Sequence, residues 1–319
     1  DVCSSDLPAA LELLEAACRG GTRVGVFGDY DVDGVTTATI LTTFLEALGV
    51  TVVARVAHRS RGYGLGLADA RALHEANVGL VVTGDCGTSD IEALQWLRDR
   101  GVSTVVIDHH QVPERMPPAD ALINPHQQGC AFPFKGMCSA GVAFYLCAGL
   151  RTRLSQRLAQ RGRAGLPDPR AWLDLVALAT VCDMMPLVDE NRILVRHGLQ
   201  LLAARKRPGL RELLHKAGVR PDSELDESTL GFQLGPRINA PGRIASAEPS
   251  LALLRSHSPA EAAPLAAKVD MYNSQRRALQ DRIVGEALEL LARDPRTPTR
   301  SGLVVAKHDW APGIVGIAA

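Results

Sequence analysis

Three carboxylates occupy alternate positions, Asp29, Asp31 and Asp33, in the stretch Gly28-Asp29-Tyr30-Asp31-Val32-Asp33-Gly34. In an extended turn, residues two apart face the same side. Like charges that close repel one another unless a cation neutralises them. A hard divalent metal bound by carboxylate oxygen meets that need. The stretch alone leaves an alternative open, a solvated acidic turn in which Asp33 caps the following helix. Two further groups have related chemistry: Asp85 in Gly84-Asp85-Cys86-Gly87, and Asp108-His109-His110.

Each group follows an apolar run. Residues Arg23–Phe27, Gly79–Thr83 and Ser103–Ile107 read as strands, as does Thr51–Ala57. Helical spacing marks Leu7–Arg19, Val35–Leu48, 68–76 and 89–100. Alternating strands and helices, with near-continuous apolar strands, predict an α/β fold with a mostly parallel sheet flanked by helices. The three polar groups then share the carboxyl edge of one sheet, where ligands of open α/β sheets bind.

The remainder reads as follows. Pro113–Phe134 is expected to be loop, and Gly136–Gly141 opens a helix at Val142–Leu150. Ser139 there is either beside a helix N-terminus that receives an anion or simply the cap. An apolar helix over 170–182 delivers Asp183, a carboxylate that needs a partner or water in such surroundings. A polar stretch, Arg161–Asp168, precedes it. Residues 191–218 suggest two helices around a basic turn at Arg205-Lys206-Arg207. Gly231–Ile244 reads as a shaped loop, its Arg237, Asn239 and Arg243 either contacting phosphate or sitting on an exposed Gly/Pro turn. Ser258–Asp294 reads as one long helix bridging two domains, with Asn273, Arg276 and Arg277 either facing a cleft or, as the simpler reading, solvated. Gly302–Ala306 is expected to start a strand of a second α/β domain. The expected division is 1–190 for the catalytic domain, 191–300 for a helical connector and 301–319 for the start of the second domain.

The 319 residues include 35 basic and 35 acidic ones, so net charge offers a polyanion no general attraction. No apolar run reaches the ~20 residues of a membrane span, and no signal peptide is evident. Seven cysteines form no C-x-x-C pair and leave an odd count, which points to a reducing, cytoplasmic setting. With no initial Met and an apolar end at Ile317-Ala318-Ala319, the chain is expected to be a fragment of a longer one.

The ordered motifs carry a resemblance. G-D-Y-D-V-D-G-V-T at 28–36, T-G-D-C-G-T at 83–88, D-H-H at 108–110 and A-T-V-C-D-M-M-P-L at 179–187 resemble the four motifs of the DHH phosphoesterase superfamily. H-R-S-R-G-Y-G-L at 58–65, F-P-F-K-G-M-C-S-A-G-V-A-F at 132–144, G-P-R-I-N-A-P-G-R at 235–243 and W-A-P-G-I-V-G-I-A at 310–318 are similar to its RecJ-type single-strand DNA exonucleases. That resemblance implies a metal-holding α/β domain followed by a DHHA1 domain, only the start of which is present. It further implies 5′-to-3′ hydrolysis of single-stranded DNA in repair and recombination. Asp31, Asp33, Asp85, His109 and Asp183 are the implied ligands of two Mn2+ or Mg2+ ions, with Asp85 bridging. Asp29 and Asp108 are implied to support them. His110 faces substrate, and Arg59, Ser139, Arg237, Asn239 and Arg243 contact it. A His that small DHH pyrophosphatases carry four residues before the first ligand is Phe27 here, which argues against that activity. Implied partners are single-stranded DNA and, beyond it, a single-strand binding protein or a helicase, for a monomeric protein. The alternatives are a DHH phosphodiesterase of short oligonucleotides or cyclic dinucleotides, and an inactive nucleic-acid-binding relative.

Overall fold

The computed structural model describes residues 6–159, 165–293 and 299–318. Cys3, Asp294 and the first part of the Arg161–Asp168 stretch lie outside them. Strands β1 (Val24–Gly28), β2 (Val52–Val56), β3 (Leu80–Gly84), β4 (Ser103–Ile107) and β5 (Ala121–Ile123) form one parallel sheet in the order β2-β1-β3-β4-β5. β5 falls where the sequence suggested only loop. It is three residues long, too short for a periodic signal, and exists because β4 offers it an edge.

The order places a switch point between β1 and β3, whose chain connections leave in opposite directions, and such a point is where an α/β sheet opens a crevice. The register sharpens this, because Gly28 pairs with Gly84 and Gly84 with Ile107. The ladder then runs one step further: the N–H groups of Asp29, Asp85 and Asp108 donate to Gly84, Ile107 and Ile123. Three acidic residues on three neighbouring strands therefore leave the sheet at one level.

Helices α1 (Leu7–Gly20), α2 (Val32–Ala47), α3 (Leu67–Glu75), α4 (Ile91–Arg98) and α5 (Ser139–Ala159) cover the two faces of the sheet, with α6 (Leu173–Cys182) packed against α2 and α5. Val24 and Val26 point into the larger core with α2 and α5, and Phe27 into the one with Leu73 and Leu94. Burial on both faces explains why the strands are apolar throughout rather than alternating. α2 is buried along most of its length, and three of its threonines donate their hydroxyls to the preceding turn, Thr36 to Val32 (2.7 Å), Thr39 to Val35 (2.8 Å) and Thr43 to Thr39 (2.7 Å), while Thr42 Oγ1 is buried without a hydrogen bond. Two glycines let this helix start hard against the sheet. A Cβ on Gly28 would meet the carbonyl of Gly34, and one on Gly34 would meet the backbone of Asp29. The cap of α2 is Asp31, which accepts from Gly34 N–H at 3.1 Å, not Asp33.

Beyond the sheet the chain is helical: α7 (Asp189–Ala203), α8 (Pro208–Lys216), a π-helical turn at Thr229–Leu234, α9 (Gly235–Ile244), α10 (Glu248–Arg255) and α11 (Pro259–Arg293). The expected loop at Gly231–Ile244 is thus helix. Leu230, Leu234 and Ile238 recur at four-residue spacing and are all fully buried, and that inner face outweighs the helix-breaking composition. Pro236 sits in the first turn, where no N–H is needed. The expected strand at Gly302–Ala306 is absent: the segment has no regular secondary structure and pairs with no strand among the described residues, and Val304 is 97% exposed. After it, α12 (Pro312–Ala318) rests on α11 through Trp310, Ile314 and Ile283.

Gly34→Ala should lower stability by about 1–3 kcal/mol, because the added methyl has backbone rather than side chain to displace. Gly285→Ala, in open space on α11, should raise it by about 0.5–1 kcal/mol. Urea denaturation of both variants measures the contrast, and an unaffected Gly34→Ala protein would refute the close-packing account.

Candidate metal centre and substrate cleft

Asp33 and Asp85 are buried at the sheet edge. His109 Nε2 lies 3.3 Å from Asp85 Oδ1, 3.3 Å from Asp183 Oδ2 and 3.8 Å from Asp33 Oδ2. One ligand atom each from Asp29, Asp31 and Asp85 forms a second group within 4.8 Å, and Asp85, His109 and His110 form a third. All five residues implied as ligands therefore meet, across some 150 positions of sequence. Asp183 reaches the group from the C-terminal end of α6, which packs against α2. Asp29, expected only to support, brings a carboxylate oxygen into the group.

Burial pushes the Asp29 carboxyl up to about 7, with the neighbouring Asp31 adding to it. Asp183 rises to about 7 by burial and the charges of Asp33 and Asp31. Asp33 and Asp85 are also raised, first by burial. Asp29 Oδ1, His109 Nε2 and Asp183 Oδ2 are buried without a hydrogen bond. Crowded carboxylates that resist ionisation, and orphaned donor atoms aimed at one another, fit a divalent cation. Oxygen donors with one imidazole and no thiolate suit Mn2+ or Mg2+. The nearby thiols stay apart: Cys138 meets Thr180, Cys182 meets Leu230, and burial raises both. Phe27 is fully buried on the other side of the sheet and adds no donor.

Ser139 was expected at the substrate but lies beneath the acids. It is buried, its N–H donates to Asp33 Oδ2 (2.7 Å) and its Oγ to Asp85 Oδ1 (3.2 Å), while Ala140 N–H donates to Asp33 Oδ1 (2.9 Å). The anion received by the α5 N-terminus is the protein's own carboxylate.

The two adjacent histidines diverge. His109 is 10% exposed and turned to the acids, whereas His110 is 48% exposed. Asp108 accepts from His110 Nδ1 (2.7 Å), from the N–H groups of His109 and His110, and from Thr88 N–H (3.1 Å). Its hydrogen bond to His110 raises the imidazole pKa. Burial alone would raise Asp108, but bonds from His110 and Thr88 outweigh it and leave it low.

Some site residues escaped the sequence reading. Tyr63 OH donates to the Asp85 carbonyl (2.7 Å) and lies 3.3 Å from His110 Nε2. Asn124, fully buried, bonds the His110 carbonyl (2.9 Å) and Thr88 Oγ1 (3.2 Å). It follows β5 as Asp108 follows β4, a signal hidden while β5 was read as loop. Asp90 accepts from Leu65 N–H at 2.7 Å and holds the loop that carries Tyr63.

The candidate substrate contacts divide. Arg59 stacks over Tyr30 (4.0 Å) and donates to the Gly242 carbonyl (3.1 Å). Asn239 and Arg243 line a cleft of about 170 Å3 with Cys182, Gly231, Gly235 and Arg276. Burial and then Arg59 lower the Arg243 pKa, the mark of a cation among cations. Arg276, whose simpler reading was solvated and whose alternative was a cleft, belongs to this cleft. Arg237 does not, since its guanidinium is 11% exposed and bound to Asp270 (2.8 Å) and the Gln233 carbonyl (2.7 Å), tying α9 to α11.

Such a sheet, with carboxylates and paired histidines along one edge, defines a class of protein. The profile of the DHH family, N-terminal domain, matches residues 23–180. The single-stranded-DNA-specific exonucleases RecJ of Bacillus subtilis and Escherichia coli are 34% and 37% identical over 97% and 99% of this chain. The chain spans 37% and 56% of their respective lengths. A crystal structure of exonuclease RecJ bound to manganese is 33% identical, with a TM-score of 0.85 over all of this chain and 77% of that one. The chain belongs to the RecJ family. Among the described residues no helix is long and apolar enough to cross a membrane.

Two measurements test the centre. His109→Ala should weaken Mn2+ binding at least tenfold in calorimetric titration. His110→Ala should bind normally yet lose ~10²–10⁴-fold in turnover; equal loss of binding by both would refute the division. In metal-free protein, proton uptake by Asp29 and Asp183 stabilises fully below 3.8 and is lost as pH rises through about 7. The Tm gain from Mn2+ should therefore be small at pH 5 and large at pH 8, and a pH-independent gain in scanning fluorimetry would contradict this.

Proposed function

We propose that this chain is the catalytic part of a metal-dependent phosphodiesterase that removes nucleotides from single-stranded DNA, 5′ to 3′, in repair and recombination. The observation carrying this is the set of buried donor atoms without a hydrogen bond on Asp29, His109 and Asp183, beside a cationic cleft. Asp31, Asp33, Asp85, His109 and Asp183, with Asp29, would hold two Mn2+ or Mg2+ ions, Asp85 belonging to more than one donor group. Bound there, such ions supply an acidified water and neutralise charge developing on the phosphoryl oxygens.

The protein's own groups do the rest. Asp108 holds His110 through Nδ1 and favours its protonated form, so the imidazole is set to hydrogen-bond a phosphate oxygen or give its proton to the leaving oxygen as the P–O bond breaks. Arg59, Asn239, Arg243 and Arg276 bind neighbouring phosphates, Arg59 pre-oriented by its stacking on Tyr30. Ser139 and Ala140 keep Asp33 and Asp85 aimed outward. We place the protein in the cytoplasm, acting as a monomer on strands supplied by a helicase or held by a single-strand binding protein. We also take residues 1–190, 191–300 and 301–319 as catalytic domain, connector and the opening of DHHA1.

Net charge of zero provides little non-specific grip on a strand. With Mn2+, a 5′-labelled single strand should release labelled mononucleotide first, while a 3′-labelled strand shortens stepwise and distributively. Early 3′-label release would reverse the polarity, and cleavage of dinucleotides alone would favour the short-oligonucleotide reading. No hydrolysis by intact protein would favour an inactive binding relative.

A further inference from the structure

Met184 follows Asp183 directly and has a left-handed backbone, φ 56°, with 89% of its surface exposed. Glycine or asparagine fits that conformation at a helix end far better. Methionine there bears the strain and buries almost nothing. Phe232 is 76% exposed, on the outer side of the π-helical turn whose Thr229, Leu230 and Leu234 face inward. The two segments touch: Cys182 Sγ donates to the Leu230 carbonyl, Gly231 packs on Val181, and Gly235 on Cys182.

Those same backbones wall the cationic cleft, through Cys182, Gly231 and Gly235. At about 170 Å3 the cleft falls below the ~300–1,000 Å3 of pockets that bury a drug-sized ligand. It can take a phosphate on Asn239, Arg243 and Arg276, but the attached sugar and base must lie outside. Next to the lining residues, Phe232 follows Gly231 and lies four residues before Pro236, and Met184 lies two residues after Cys182, so an exposed aromatic ring and an exposed thioether adjoin the cleft wall.

We propose that Phe232 and Met184 form a base-binding shelf that holds a nucleobase of the single strand while its phosphate occupies the cleft. The proposal rests on the single-strand reading above and extends it to the base. A ring face and a polarisable sulfur contact any base through its π-face, so the shelf grips without sequence preference. It compensates for the neutral net charge by stacking rather than by added cations.

The test uses Phe232→Ser, Phe232→Trp and Met184→Asn, all at exposed positions. Stacking on one ring predicts about a tenfold rise in KM on oligothymidylate for Phe232→Ser, with kcat unchanged and Phe232→Trp restoring KM. On a strand whose terminal residues are abasic, wild type and Phe232→Ser should behave alike. Met184→Asn should raise Tm by relieving the backbone and raise KM, a pairing that a purely structural methionine would not give. Quenching of a 2-aminopurine strand, which needs no turnover, should weaken in Phe232→Ser and Met184→Asn. Absent hydrolysis with this quenching pattern intact would sink the nuclease reading and keep the shelf. Unchanged KM and quenching in both variants would overturn the shelf, whatever the activity.

Discussion

Everything at the sheet edge depends on keeping five carboxylates in a space that is mostly dry. Asp29, Asp31, Asp33, Asp85 and Asp183 repel one another, and burial raises the pKa of Asp29, Asp33, Asp85 and Asp183. The fold supplies opposing dipoles, beginning with the Gly34 N–H that donates to Asp31 at the start of α2. The α5 N-terminus donates two N–H bonds to Asp33, and the Ser139 hydroxyl faces Asp85. Gly28 and Gly34 bring α2 close enough for the acidic turn to close over them. What remains uncompensated faces the crevice, so the residual negative potential is directed where a cation enters.

The paired histidines exploit a simple property of consecutive residues past a strand end: their side chains diverge. His109 turns into the acids and His110 turns out, and Asp108 organises both by accepting their N–H groups. Thr88 and Asn124 complete this turn from the loops after β3 and β5. A single short turn thereby presents two environments, one imidazole among the buried carboxylates and one half-exposed.

Helices α9 and α11 supply what the sheet cannot, a positive wall beside the acids. Arg243 and Arg276 approach one another in the cleft, a costly arrangement for two partly buried cations that an anion would relieve. Arg59 links the two halves, stacked on Tyr30 from the acidic turn and bonded to Gly242 of α9. Closure of α9 on that turn also needs Gly242, where a side chain would collide with the Tyr30 carbonyl at 2.5 Å.

The parallel sheet, its helices and the shared edge of the groups at Asp29–Asp33, Asp85 and Asp108–His110 were legible in the chain itself, whereas Asp183, at a helix end, joined the expected ligand set through the resemblance. Strand-end position is a local property, and residues at equivalent strand ends must meet once the sheet is parallel. Other features depended on contacts distant in sequence. Ser139 lies behind the acids because α5 points its N-terminus at Asp33, and Arg237 is consumed by Asp270 on another helix. Arg276 enters the cleft only because α11 packs on α9. The segment 231–244 folds as helix because Leu230, Leu234 and Ile238 find a core, overriding its glycines and prolines. β5 and Asn124 needed the edge of β4, and the expected strand at 302–306 pairs with no edge among the described residues. Periodicity and spacing determine which residues can reach a strand end or a helix face. Which partner then takes up each charge is decided only when the faces pack.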